Sequence, residues 1–121
     1  MKKLICFFSI LFFISCGNSQ EIKNISTVEL KSLLSKSEIQ LLDVRTDNEI
    51  KEGFIKTALF VDFYKDDFFT DAAKQLDKNK PVYIYCRSGH RSGKASKILQ
   101  DKGYKVFNIE GGFSKWKTEN K

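Results

Sequence analysis

The chain has 121 residues, 41% apolar and 30% charged, with a formal net charge of +6 at pH 7. That length holds one domain of ordinary size, and the apolar fraction excludes a disordered chain. The lysines and arginines are dispersed, which excludes a nucleic-acid partner read from a basic run and suits small anions instead.

Residues 1–15 read as a targeting segment. Met1-Lys2-Lys3 is a positive start, and residues 4–14 are apolar apart from Ser9. The run is too short for a bilayer span of about 20 apolar residues, and it reads as a signal peptide. Phe13-Ile14-Ser15-Cys16-Gly17 resembles a bacterial lipoprotein box, with Phe13 where leucine is usual. The expectation is therefore removal of residues 1–15, lipid on Cys16, and a lipidated, tether-like stretch over 16–24. Ordinary cleavage near Ser15 and a retained anchor are the alternatives. The implied location is the periplasm or cell envelope, on a bacterial membrane. Losing Lys2 and Lys3 lowers the charge from +6 to +4. Cys6 would leave with the signal and Cys16 would carry lipid. Cys86 would then be the one thiol of the mature chain, without a disulfide or a CxxC couple. One cysteine and one histidine also cannot supply a tetrahedral metal set, so no metal is expected.

The folded domain is expected over 25–121. A helix starts at Ser26, spaced with Glu29 as a capping box, and its buried stripe reads as Val28, Leu30, Leu33 and Leu34. Residues 39–45 read as a strand that is polar only at its end. Asp43, Arg45 and Glu49 follow as an ion-pair and hydrogen-bond cluster that fixes the next loop. A catalytic role is the weaker reading, because a carboxylate beside a reactive thiolate would raise its pKa. Residues 59–62 suggest a short strand and residues 67–76 a helix, with Phe63, Phe68 and Phe69 as core residues rather than a substrate wall. Residues 81–85 are a buried strand, 93–102 a helix closed by Gly103, and 104–109 the last strand. Strands alternating with helices imply a parallel sheet with helices on both faces. The site of such a sheet lies at the carboxyl ends of its strands, where Cys86 falls.

Between the strand and helix stands Cys86-Arg87-Ser88-Gly89-His90-Arg91-Ser92. Free N–H groups at a helix start and cationic neighbours lower a thiol pKa, so Cys86 reads as the nucleophile. Gly89 allows a positive φ, letting successive N–H groups converge on an anion. Arg87 and Arg91 are suited to an anionic substrate, and Ser88 and Ser92 add hydroxyl donors. His90 is a candidate general base, but a thiolate stabilised by the loop needs none, which favours a rim or loop-shaping role.

This loop is similar to the active loop of single-domain rhodaneses, the sulfurtransferases. Asp43-Val44-Arg45 with Glu49, Gly53-Phe54-Ile55 and Ala58 is similar to the family's second signature, with Phe54 where histidine is usual. Gly111-Gly112 followed by Trp116 is similar to its ending, with Trp116 as a core clasp. The resemblance covers residues 25–117. It implies a rhodanese-like three-layer α/β fold, and a sulfur carried on Cys86 between an anionic donor such as thiosulfate and a thiol or cyanide acceptor. No cofactor is called for, and a monomer is expected. Four residues separate Cys86 from Arg91, one fewer than in cysteine phosphatases, which disfavours a small phosphatase or arsenate reductase. The reductase would also lack a resolving thiol. A non-catalytic interaction module is the third reading, and leaves Cys86 and both arginines without a purpose.

Overall fold

The computed structural model describes residues 21–121; the expected signal peptide, Cys6 and the expected lipidation of Cys16 lie outside the described residues. Strands β1 (Lys23–Ile25), β2 (Gln40–Asp43), β3 (Leu59–Phe60), β4 (Val82–Tyr85) and β5 (Val106–Ile109) form one sheet. Its order is β1-β5-β4-β2-β3, and every pairing is parallel. The helices are α1 (Thr27–Lys36), α2 (Asp47–Lys51), α3 (Phe68–Gln75), α4 (His90–Asp101) and α5 (Gly112–Glu119). This is the expected three-layer α/β fold.

The central strand β4 shows why. A parallel strand covered on both faces reads as a continuous apolar run, and its alternating side chains feed two cores. Val82 and Ile84 pack with Leu42, Ala72, Ala95 and Leu99 under α3 and α4. Tyr83 and Tyr85 pack on the other face with Leu30, Ile109 and Phe113 under α1 and α5. Each fully buried leucine or isoleucine in these layers contributes about 1.5–3 kcal/mol. Phe68 is buried, with Phe63 and Phe69 packed against the first core, so these aromatics hold α3 to the sheet.

Several local expectations are corrected. Lys23 and Asn24, assigned to the tether, pair with Phe107 and Asn108 as part of β1. Three residues without hydrophobic pattern form a strand there because β5 presents an edge to pair with. Val28 is 67% exposed and leaves the buried stripe of α1, which is carried by Thr27 and Leu30. Position 28 sits about 100° round the helix from position 27, so the two cannot share a face. α4 begins at His90 rather than Gly93, because Gly89 takes a left-handed φ of 109° and starts the helix directly. α2 and α5 arise in stretches read as loop and ending. In α2 the Thr46 hydroxyl accepts the Glu49 N–H while the Glu49 carboxylate accepts the Thr46 N–H, a complete capping box.

Ser96 in α4 is fully buried, and its hydroxyl has no hydrogen-bond partner among the described residues. An unpaired buried hydroxyl is destabilising, and alanine is the better helix former. Ser96→Ala is expected to stabilise the fold by about 1 kcal/mol, read as a higher urea midpoint at unchanged m-value.

Candidate active site

The chain leaves β4 toward β5 on one side and leaves β2 toward β3 on the other, so the sheet order reverses between β4 and β2. A crevice opens at the carboxyl ends of strands where such a reversal occurs. Cys86 directly follows β4 at that point and is 1% exposed. The Gly89 N–H donates to its Sγ at 3.1 Å, and the Ser92 hydroxyl lies 3.4 Å away. The N–H groups of Ser88 and Ser92 add to these. Burial pushes the thiol up, but the donors outweigh it and hold Cys86 below the ordinary thiol value, with the Ser92 hydroxyl the strongest of them.

A direct consequence concerns pH. A lowered pKa keeps the reactive thiolate populated at neutral pH and loses it as the pH falls through that value. Removing the Ser92 hydroxyl withdraws the largest lowering contribution. Ser92→Ala is therefore expected to move the ultraviolet titration of the Cys86 thiolate to higher pH. Reactivity at pH 7 should fall about tenfold, the worth of one hydrogen bond to a charged group.

Ser92 is itself held from behind. Its hydroxyl donates to Asn108 Oδ1 at 2.6 Å, and its single proton can turn from there to the sulfur. Asn108 Nδ2 in turn donates to Asn24 Oδ1 at 3.0 Å and to the Gly89 carbonyl at 3.3 Å. Residues of β1 and β5 thus fix the loop through a buried polar network. Neither asparagine was singled out from the sequence. The usable signal was Asn108 within Val106-Phe107-Asn108-Ile109, a polar side chain where a buried strand calls for an apolar one.

The two arginines of the loop part company. Arg87 and Ser88 are exposed, as is His90 at the first position of α4. Arg91 pairs with Glu49, with Nη1 2.8 Å from Oε1 and Nη2 2.8 Å from Oε2, while its charge still acts on Cys86. Its Cζ sits 5.5 Å from the Tyr64 ring centroid. Arg91 carries a carboxylate partner, and Glu49 joins the two groups: its carboxylate holds Arg91, while its backbone carbonyl accepts from Arg45 Nη1 at 3.5 Å. The parallel register that sets Asp43 beside Tyr85 places α2 against the start of α4 and so brings the pair together. Hydrogen bonding to Arg91 holds the Glu49 carboxyl down at about 2 against the opposing effect of burial.

Asp43 and Arg45 form the expected internal pair. Both are buried, with Arg45 Nη2 2.7 Å and Nε 2.9 Å from the Asp43 carboxylate oxygens. The guanidinium also donates to the Gly53 carbonyl at 2.8 Å and stacks 4.3 Å from the Phe113 ring centroid. Those contacts pin the β2–α2 loop to α5. Burial and the neighbouring Asp43 raise Tyr85 above the ordinary phenol range, while its hydroxyl accepts the Ile55 N–H at 3.0 Å.

α5 supports the loop from beneath. The Phe113 N–H donates to the Cys86 carbonyl at 2.8 Å and the Ser114 N–H to the Arg87 carbonyl at 3.0 Å. Free N–H groups of a helix start thereby satisfy the carbonyls that the active loop turns downward. Gly112 is the point of closest approach: a Cβ there would stand 2.5 Å from the Arg87 carbonyl oxygen and 2.6 Å from that of Cys86. Trp116 is partly buried against the core under α1 and α5, a packing position at its edge.

Comparison with known proteins agrees with this geometry. The family model described as a rhodanese-like domain matches residues 26–119. YtwF of Bacillus subtilis is 39% identical over 102 residues, covering 84% of this chain and 96% of that protein. The thiosulfate sulfurtransferase GlpE of Coxiella burnetii is 34% identical over 99 residues, covering 81% and 90%. The crystal structure of a rhodanese-like domain protein from Staphylococcus aureus is 38% identical with a TM-score of 0.71, covering 78% and 91%.

Proposed function

The chain belongs to the rhodanese family, and from that premise we propose that it transfers sulfane sulfur through a persulfide on Cys86. The observation that supports this is the ring of donors on the sulfur: the N–H groups of Ser88, Gly89 and Ser92 and the Ser92 hydroxyl. Fixed donors of this kind stabilise negative charge without reorganising during the reaction. They would serve the thiolate first and the terminal sulfur of the persulfide afterwards.

In the first step the Cys86 thiolate attacks the outer sulfur of thiosulfate. The new S–S bond leaves a persulfide anion on the protein, and the broken S–S bond releases sulfite with its electron pair. In the second step cyanide attacks the terminal sulfur, thiocyanate departs and the thiolate is restored. A thiol acceptor would take the sulfur as its own persulfide. Arg87, exposed on the loop, would meet the anionic end of the donor. Two half-reactions through a covalent intermediate give ping-pong kinetics.

Intact mass before and after thiosulfate, and again after cyanide, tests the proposal. The expected result is a gain of about 32 Da, one sulfur atom, that maps to Cys86 and disappears with cyanide. No gain, together with turnover of an aryl phosphate, would replace the reading with a phosphatase. We also propose export and lipid attachment at Cys16, supported by residues 1–16 of the sequence. Fatty-acid labelling that persists in a Cys16→Ala variant would overturn the attachment site.

A further inference from the structure

The loop carries two guanidinium groups, and only one is left without a carboxylate. Arg91 is engaged on both nitrogens by Glu49, whose Oε1 also accepts the Thr46 N–H at 3.0 Å. Glu49 is thus held by its own helix cap and cannot swing away with Arg91. Arg87 is exposed, and among the described residues it makes no ion pair. Arg87 is therefore the loop guanidinium whose charge no carboxylate offsets among the described residues. The charge of Arg91, which acts on Cys86, is offset by the Glu49 carboxylate.

Resting on the sulfurtransferase reading above, we propose that Glu49 sets the charge of the preferred sulfur donor. By neutralising Arg91 it suits the site to singly charged donors, such as an organic thiosulfonate, over the dianion thiosulfate. Both kinds of donor load the cysteine in the same way. Thiosulfate gives the Cys86 persulfide and sulfite; a thiosulfonate gives the same persulfide and a sulfinate. They differ in one negative charge on the part that faces the arginines, so electrostatic balance decides between them.

Glu49→Gln isolates the charge. Glutamine still accepts the Thr46 N–H in the capping box and one Arg91 N–H, so α2 keeps its start while the carboxylate is removed. The measurement is kcat/KM for thiosulfate and for methanethiosulfonate, at low and moderate ionic strength. The expected result is a rise in the thiosulfate-to-methanethiosulfonate ratio by about five- to tenfold, carried by KM and diminishing with added salt. A second variant, Arg91→Gln, leaves Glu49 uncompensated and is expected to lower the same ratio. If the pair is merely structural, both variants lower activity with both donors and leave the ratio and its salt dependence where they were. That outcome overturns the proposal. Failure of wild-type protein to load sulfur from either donor would instead remove the sulfurtransferase reading, and the proposal with it.

Discussion

Cys86→Ala is expected to lower sulfur transfer by at least about three orders of magnitude while leaving the domain folded. The loop's N–H donors converge on the sulfur, and the Ser92 hydroxyl beside it donates to that sulfur rather than competing with it as a nucleophile, since an alcohol is not ionised at neutral pH. The structural cost is small. Cys86 lies at the end of the first core cluster, and alanine removes one atom there, worth about 1 kcal/mol. The loop itself is held by contacts that do not involve the sulfur: the Asn108 network, the α5 N–H groups and the Arg91–Glu49 pair. Cys86→Ser is expected to be equally inactive, because a hydroxyl in the same place is not ionised at neutral pH. Turnover and a thermal melt of each variant, measured side by side, check this. Turnover above about 1% of wild type, or a sulfur gain that maps elsewhere, would remove Cys86 from the mechanism.

The second large effect falls on a residue that carries no chemistry. Gly112→Ala is expected to cost more than about 3 kcal/mol and to abolish activity in whatever fraction still folds. Gly112 has a φ of 56°, and a Cβ there would meet the backbone of both Cys86 and Arg87 within 2.6 Å. Backbone cannot rotate aside as a side chain can. Either α5 retreats, losing its hydrogen bonds to the Cys86 and Arg87 carbonyls, or the loop shifts and carries the sulfur out of register. A displacement of only about 1 Å at a reacting centre costs on the order of a hundredfold in rate. Gly89→Ala is the control. Its φ of 109° is also unfavourable for alanine, but the nearest atom to a Cβ there is 3.7 Å away. That variant is expected to fold with a penalty of about 1–2 kcal/mol. If Gly112→Ala melts and turns over as Gly89→Ala does, close approach beneath the loop is not what Gly112 provides.

The acid side of the stability profile carries one further mark of the loop's wiring. Glu49 is depressed to about 2 from an ordinary 4.5, so its pairing stabilises the fold fully above the ordinary value and ceases to do so as the pH falls toward 2. The pair is partly solvent-exposed, which keeps that contribution small.

How far the chain could be read without its structure follows from the range of each signal. Periodicity over a few residues revealed β2, β4, α1 and α4, because burial on one or both faces writes itself into consecutive positions. β1 was missed because Lys23, Asn24 and Ile25 have no such pattern and owe their conformation to pairing with β5. Val28 was misplaced because the stripe of α1 admits two phases differing by one residue, and contact with the sheet selects Thr27 and Leu30. Cys86, the left-handed Gly89 and the buried Asp43–Arg45 pair were all legible, since each lies within a short motif whose geometry is local.

The sequence by itself determined that this is a parallel α/β domain with a thiol, that of Cys86, placed at the end of a central strand. Tertiary structure alone decided which charges face that thiol. Arg87 and Arg91 are equivalent on paper, and the difference between them comes from a carboxylate 42 positions away. Asn24 and Asn108 meet across 84 positions. Strand pairing, not local spacing, brings such groups within hydrogen-bonding distance, and electrostatic character is set by the groups that end up adjacent.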